Sequence, residues 1–313
     1  MSSSQVAIIG AGMSGITAAR SLNNAGYTVQ LFEKSRGSGG RLASKRSAMG
    51  RVNLGAQAFH ADQAEFLAEL DHWQHAGWLK QTQQQWTGIP YMSALTRNLL
   101  GELNTLFSCE IRQLSHTQQG WLLLDQHGQQ HGPFAQLIVA IPAPQASTLL
   151  SNCAPDLAAC AASVVMQPTW MVALGFKEPL TASQPLSPMQ QRIIAEVRPS
   201  AIAAEQPMQT WLLRASVAWS IEHLEDEPAQ VIHRLSNCFA ELFDTAPPEA
   251  DSAFAHRWRY ALGALEQPLN TLTDLSRGLV VAGDWCGQGD LQSAWCSGQH
   301  AAQQLINSWG ITG

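Results

Sequence analysis

The sequence predicts an α/β protein of two lobes, a nucleotide-binding lobe around a parallel sheet and a second lobe around a mixed sheet. Three observations predict it. The apolar run Val6 to Ile9 leads through a glycine-spaced turn and a helix-like segment into a second apolar run, Val29 to Phe32, which is the order of a βαβ unit. Strand-like segments return late, at Gln136–Ile141 and Leu279–Ala282, so the first lobe is discontinuous. Residues 151–253 hold further strands, Trp170–Phe176 and Thr210–Val217, and a helix from Pro228 to Phe243, which need a sheet of their own. The expected division is 1–60, 101–150 and 254–313 for the nucleotide-binding lobe, with 61–100 and 151–253 for the other. A chain of 313 residues has room for both, because single cores stop growing at roughly 250–300 residues.

The first turn carries Gly10, Gly12 and Gly15 with Met13 and Ser14 between them, the G-x-G-x-x-G spacing of dinucleotide binding. Gly10 lets the chain turn, Gly12 lets backbone approach a pyrophosphate, and Gly15 lets the helix pack on the strand. The helix then points unpaired N–H groups and its positive end at the phosphates. Glu33, at the end of the second strand and followed by Lys34, is placed to accept hydrogen bonds from ribose hydroxyls. That much does not separate FAD from NAD. The next residues do: Arg36-Gly37-Ser38-Gly39-Gly40-Arg41 is a second glycine-rich turn with flanking cations. It resembles the E-x-x-x-R-x-G-G-R segment of glutathione-reductase-like FAD proteins. The resemblance implies Arg41 on the diphosphate and Arg36 near the adenosine or ring edge.

Composition narrows the partners. Net charge is −6 and the 18 Lys and Arg are scattered, which excludes a phosphate-tracking nucleic-acid surface. The start, Met1-Ser2-Ser3-Ser4-Gln5, runs into the first strand with no cationic and apolar leader pattern, and no apolar run reaches membrane-spanning length. The six cysteines show neither C-x-x-C nor a metal-like spacing, so no metal is expected and reduced thiols in a cytoplasmic protein are.

Along the chain, Ala43–Met49 reads as a polar bend, and Val52 to His60 as backbone passing close to something flat at Gly55, Ala56 and Gln57. A helix follows from Asp62, with Asp62 and Glu65 as a capping pair. Gln81–Gln85 reads as a solvated loop, Tyr91–Leu100 as an amphipathic helix, and Cys109–Leu114, Gly120–Asp125 and Gln136–Ile141 as three strands ending at Pro142-Ala143-Pro144-Gln145. Ser151–Val165 is helical in pattern, Trp170–Phe176 reads as a half-buried strand, and Leu180–Pro207 as loops around short strands. In Phe254–Tyr260 the residues Phe254, His256, Trp258 and Tyr260 share one face, with Arg257 and Arg259 on the other. Gly283-Asp284-Trp285 is a glycine-containing turn before a last helix, with Asp290 as its N-cap and Gly310 closing it.

Taken in order, the two glycine turns, P-A-P-Q at 142–145, A-H-R-W-R-Y-A at 255–261, G-D-W at 283–285 and A-W-x-S-G at 294–298 resemble bacterial renalase-type proteins. That group belongs to the flavin-containing amine oxidase superfamily. The resemblance covers nearly the whole chain. It implies a glutathione-reductase-like FAD-binding Rossmann lobe with a second substrate lobe, in an amine oxidase or p-hydroxybenzoate hydroxylase-like topology. It also implies noncovalent FAD, oxidation of 2- and 6-dihydro isomers of NAD(P), and O2 reduced to H2O2. By motif position, the cofactor would touch Leu42, Ala140, Pro142, Trp258, Gly283 and Ala294 besides the glycine turns. Asp284 would hold ribityl or phosphate hydroxyls, Ile111 would offer backbone to the adenine, and Leu291 and Gln292 would bring a helix N-terminus to the ring carbonyl. Cys286 does not match the linking cysteine of covalent relatives. The sequence departs from that pattern at Asn53, Ala58 and Phe59, at Arg214, at Asp290, and in a shorter 78–92 segment.

Hydride transfer to a flavin needs orientation more than acid–base chemistry. His256 is the first choice if a base is needed, against a structural role as a strand histidine. Trp211, Trp258 and Tyr260 would stack on a nicotinamide or be core, and Arg214 would meet a substrate phosphate or pair with a carboxylate. The other readings are an oxidase of a small amine or other apolar substrate, and an FAD-binding protein with little turnover.

Overall fold

Apolar strands that are hydrophobic at every position, such as V-A-I-I and L-V-V-A, have no solvent-facing side and demand cover on both faces. A computed structural model shows how this chain supplies it. It describes residues 5–200, 206–245 and 247–310; Met1–Ser4 at the start and residues 201–205 of the Pro-, Ser- and Gln-rich stretch lie outside the described residues.

The chain opens with β1 (Gln5–Ile9), α1 (Met13–Asn24) and β2 (Thr28–Glu33), where β1 and β2 are parallel with Val6 opposite Val29 and Ile9 opposite Phe32. The expected polar bend is a hairpin, β3 (Ser44–Ser47) and β4 (Gly50–Asn53). Next comes α2 (Ala64–His75), which has no side-chain cap bond at its N-cap, Gln63. The expected Asp62/Glu65 capping pair is therefore absent, and Asp62 accepts from Gln292 instead. The glutamine-rich stretch is not a loop but a hairpin, β5 (Leu79–Thr82) and β6 (Gln85–Gly88). Buried Leu79 and Trp86 anchor it, and Gln83 and Gln84 make its tip.

After α3 (Met92–Leu100) come β7 (Thr105–Phe107), β8 (Ile111–Thr117), β9 (Gly120–Asp125), β10 (Gln130–Phe134) and β11 (Gln136–Val139). Then α4 (Ala143–Leu150) and α5 (Pro155–Ala162) lead to β12 (Gln167–Phe176), β13 (Ile194–Pro199) and β14 (Gln209–Ala215). The chain closes with α6 (Val217–Glu222), α7 (Pro228–Ala240), β15 (Ser252–Leu262), β16 (Thr271–Asp274), β17 (Leu279–Ala282) and α8 (Leu291–Gly310).

One six-stranded sheet runs β16-β17-β11-β1-β2-β7, parallel except at its β16 edge. Val6, Ile8, Leu31, Ile138 and Val280 pack under α1, α2, α3 and α8. Ala7, Ile9, Phe32, Val139 and Val281 pack under α4, α5 and the antiparallel β8–β9–β10 sheet. The second lobe is a four-stranded sheet, β13-β14-β12-β15, antiparallel throughout. Here β12 differs from the expected half-buried strand, since residues 168–176 are all buried. The stripe Val231, Leu235, Cys238 and Phe239 of α7 covers one face, and Met49, Val52 and Leu54 of the β3–β4 hairpin cover the other. Among the described residues no helix is long and apolar enough to cross a membrane.

Candidate active site

The first glycine turn fits the chain so tightly that two of its glycines admit no side chain. Gly10 has φ +105°, its N–H donates to the Phe32 carbonyl at 2.8 Å, and a Cβ there would lie 2.3 Å from the Ala140 carbonyl oxygen. A Cβ on Gly15 would lie 1.9 Å from the Gly10 oxygen, so α1 rests directly on the turn. Gly12 is different. No atom lies within 4 Å of where its Cβ would be, because it faces a cleft. Beside it, α1 has no side-chain cap and no acid in its first turn, and the Ser14 hydroxyl is buried without a hydrogen-bond partner. Free helix N–H groups and an orphaned hydroxyl beside open space are what a diphosphate would satisfy.

The second glycine turn is fastened to the first, with the Gly39 N–H donating to the Ala11 carbonyl at 2.9 Å and Gly40 lying against Gly12. Glu33 fixes both turns. Its carboxylate accepts from Ala11 N and from Ser35 N, each at 2.8 Å, and each oxygen keeps lone-pair capacity for a ribose hydroxyl. At the mouth of the cleft, Lys34 Nζ donates to Gln145 Oε1 at 3.2 Å, joining the end of β2 to α4.

The carboxy-terminal elements close the opposite wall. Arg41 forks onto Asp284, with Nη1 to Oδ2 at 2.7 Å and Nη2 to Oδ1 at 2.5 Å, and also donates to the Ala261 carbonyl. The two residues expected to hold different parts of the cofactor thus hold each other. Gly55 lets the loop after β4 lie on the Arg41 carbonyl, which also accepts from Ala56 N at 3.1 Å. Trp258 Nε1 donates to the Leu54 carbonyl at 2.9 Å, pinning the indole over the same loop. Exposed Asp290 caps α8 through Ser293 N at 2.7 Å, as a plain N-cap does.

These walls enclose a cleft of about 1330 Å³. It gathers Gly10, Gly12, Met13, Ser14, Glu33, Lys34, Gly40, Arg41, Leu42, Gly55, Ala56, Gln57, Ile111, Ala140, Pro142, Arg214, His256, Trp258, Tyr260, Gly283, Asp284, Leu291 and Ala294. Four expected contacts fall elsewhere. Gly15 is packing, as above. Arg36 is exposed and outside the lining, although its neighbours Ser35 and Gly37 are in it, so its side chain points to solvent. Gln292 points away from the cleft, accepting from Asp62 N and Gln63 N and so securing the start of α2. Trp211 is core against Phe239, with ring centroids 5.3 Å apart, since it shares the α7-facing side of β14 with Leu213.

The second-lobe wall brings residues that sequence reasoning missed. Arg214 Nε meets Glu196 Oε2 at 3.1 Å, and Arg198 reaches the other oxygen at 3.4 Å. Alternation of charged residues along Glu196-Val197-Arg198 was the available signal, and it lay in a stretch read as loops around short strands, to which no function was given. Phe59, His60 and Gln85, brought in by the β5–β6 hairpin, line the same end. Asn53 is buried and outside the lining, with its Oδ1 accepting from Ser44 Oγ and Met92 N, so this departure from the relatives does not alter the pocket. Buried Cys286 is also outside it, and burial pushes its thiol well above the usual range.

His256 sits edge-on to Trp258 with centroids 4.4 Å apart. Burial, and secondarily the Lys45 charge, push its pKa below the ordinary value. A histidine whose folded pKa is depressed leaves the native state binding fewer protons than the unfolded chain once pH falls below about 6.5. Its contribution to stability is then intact above that pH and declines as pH falls toward the folded pKa. His256→Gln should therefore flatten part of the fall in Tm between roughly pH 7 and pH 5, read by thermal melts across that range.

A family model for flavin-containing amine oxidoreductases matches residues 58–306, and one for an NAD(P)-binding Rossmann-like domain matches residues 8–72. The chain belongs to the flavin-containing amine oxidoreductase family. Its fold is similar to that of a protoporphyrinogen oxidase candidate from Exiguobacterium sp. 255-15 (TM-score 0.73, 13% identity, covering 99% of this chain and 100% of that one). It is also similar to cyclohexylamine oxidase from Brevibacterium oxydans IH-35A (TM-score 0.69, 12% identity, 99% and 100% covered). An engineered putrescine oxidase gives a TM-score of 0.71 at 12% identity, with 97% and 99% covered. This flavin-containing amine oxidoreductase takes FAD as its cofactor and is an FAD-dependent oxidoreductase acting on a small molecule.

Proposed function

We propose that this flavin-containing amine oxidoreductase is a renalase-type oxidase. It removes hydride from 2- or 6-dihydro isomers of NAD(P), releasing NAD(P)+, and passes the electron pair with protons to O2 as H2O2. The observation that carries the reading is the charge of the second-lobe wall. Its carboxylate, Glu196, is shared by Arg198 and Arg214, leaving a net positive surface on the cleft. An ammonium substrate would meet cations there, whereas the diphosphate of a dinucleotide would meet donors.

Bound FAD supplies the hydride-accepting ring. The chain's own residues bind and orient. Ser14 and the α1 N-terminus would meet the diphosphate, Glu33 the ribose, and the α8 N-terminus would favour negative charge on the reduced ring. Trp258 and Tyr260 would offer flat faces to a nicotinamide, and His256, kept from protonation by burial, adds no charge beside it. Buried Cys286, outside the cleft, supports FAD held without a covalent link.

The second reading, oxidation of a small amine, is favoured by the apolar part of the cleft at Leu54, Phe59, Met171 and Leu212, and by the likeness to cyclohexylamine and putrescine oxidases. Anaerobic mixing separates the two. Prompt bleaching of the flavin by dihydro-NAD isomers and none by amines supports the proposal, and the reverse pattern removes it. No flavin bleaching by either class, and no peroxide under air, would leave an FAD-binding protein with little turnover. Arg214→Ala should raise KM for a dihydro-NAD isomer about 10-fold with kcat little changed, the size expected for one half-exposed charged contact.

A further inference from the structure

We propose that Cys109, Asp125 and His131 form a zinc site, separate from the hydride-transfer end of the cleft. Two of the three donors lie on adjacent strands and the third just before a third strand. Cys109 precedes β8, Asp125 ends β9, and His131 lies in β10. Hairpin register brings them together, with Asp125 opposite Ile111 and His131 opposite Leu123. His131 Nε2 lies 3.0 Å from Asp125 Oδ2, Cys109 Sγ lies 3.8 Å from that oxygen, and the sulfur and imidazole nitrogen are 3.9 Å apart. A tetrahedral zinc with donors at about 2.0–2.3 Å sets its ligand atoms about 3.3–3.6 Å apart. Movements of a few tenths of an ångström would close the triangle.

The surroundings are those of a built site. Asp125 Oδ1 accepts from His127 N at 2.8 Å and Gln129 N at 2.9 Å, which aims Oδ2 at the other two donors. Phe32 packs edge-on against the His131 ring at 5.1 Å, and Phe134 packs against Phe32 at 5.8 Å, which gives the imidazole a fixed apolar backing. Cys109 itself lines the cleft, so an ion has a way in and a fourth position can take water. Thiolate, imidazole and carboxylate together suit zinc over magnesium or calcium. On binding, the thiol proton and the proton that His131 Nε2 shares with Asp125 leave, the first to solvent and the second to solvent or to Nδ1; the Cys109 sulfur, His131 Nε2 and Asp125 Oδ2 then each give a lone pair to the ion, and no electron is transferred. The ion would clip the end of β9 to β10 and to the backbone at Cys109, whose N–H is bonded to the Glu33 carbonyl.

The ordinary alternative is a hydrogen bond between His131 and Asp125 with an idle thiol beside it. Chelator-treated flavoprotein titrated with Zn2+ against a chromogenic chelator decides between them. One equivalent should bind to the wild type. Cobalt in its place should give the intense d–d bands of a tetrahedral site, beyond the flavin absorption. Cys109→Ala and His131→Gln should each weaken binding by more than the roughly 10–100-fold that loss of an outer-shell partner costs. Should either variant fold poorly, the wild-type titration and cobalt spectrum still decide. Less than one equivalent bound, an octahedral cobalt spectrum, or an equivalent retained by both variants overturns the site.

Discussion

Gly12→Ala should give a folded chain that does not retain FAD, and Gly15→Ala a chain that loses FAD because its fold gives way. The two positions are three residues apart in one turn, yet a methyl group meets opposite surroundings. At Gly15 it would lie 1.9 Å from a backbone oxygen and 3.3 Å from the Ala140 side chain, so relief requires lifting α1 off β1. Met13, Ile16, Ala19 and Leu22, all buried, would lose contacts together. An overpacked site of this kind costs about 3 kcal/mol, which in a chain of 313 residues corresponds to a fall in Tm of roughly 5 °C. At Gly12, φ is −81° and nothing lies within 4 Å, so alanine is sterically free and the apoprotein should melt within a few degrees of wild type. The methyl instead occupies the space through which backbone meets the pyrophosphate. A clash of about 1–3 kcal/mol there lowers FAD affinity roughly 10–100-fold. Thermal melts of the apoproteins and the flavin-to-protein absorbance ratio of the purified chains read the two effects separately. A Gly12→Ala chain with full flavin content would move the dinucleotide away from this turn, and a Gly15→Ala chain melting with the wild type would contradict the packing.

What the sequence made legible is what lies within one turn or one strand. Gly10, Gly12, Gly15 and Glu33 are separated by fixed geometry, so their spacing alone places them at a strand end and a helix start. The same holds for His256 and Trp258, which alternate on β15 with their rings in contact, and which line the cleft together with Tyr260. Alternation says which residues go together and not which way they face. On β14 the side with Trp211 turned to α7 and the side with Leu212 and Arg214 turned to the cleft, a choice made by the hairpins and helices that arrive from elsewhere. Gln292 escaped for a related reason. One residue along a helix turns the side chain by about 100°, so a neighbour of Leu291 can serve a different surface. Buried Trp86 outweighed a polar tip in the 79–88 hairpin, where composition alone suggested a loop. The Cys109, Asp125 and His131 cluster follows no spacing rule, because strand register assembled it.

Arg41→Ala should destabilise the apoprotein by about 2–3 kcal/mol, and Asp284→Asn by clearly less. The asymmetry follows from burial. Asp284 is 4% exposed and its carboxylate is held by the Arg41 fork, whereas about a third of the Arg41 side chain reaches solvent. Removing the arginine leaves an unpaired charge in a poorly solvated place, which in a fully buried pair costs about 3–5 kcal/mol; the exposure of Arg41 admits water and reduces that figure. Removing the carboxylate charge leaves a cation that can turn to solvent and to the Ala261 carbonyl it already touches at 3.1 Å. Arg41→Lys restores charge without the two-pronged geometry and should recover only part of the loss. Denaturant melts of the three apoproteins give this order directly, and equal losses for Arg41→Ala and Asp284→Asn would mean that solvent, not the pairing, governs Asp284. With FAD added the gap between Arg41→Ala and the wild type should widen. Arg41 lines the cleft with Gly12 and Gly40, so a diphosphate held there would draw on the same guanidinium that steadies Asp284, and stabilisation by FAD should be smaller in Arg41→Ala than in the wild type.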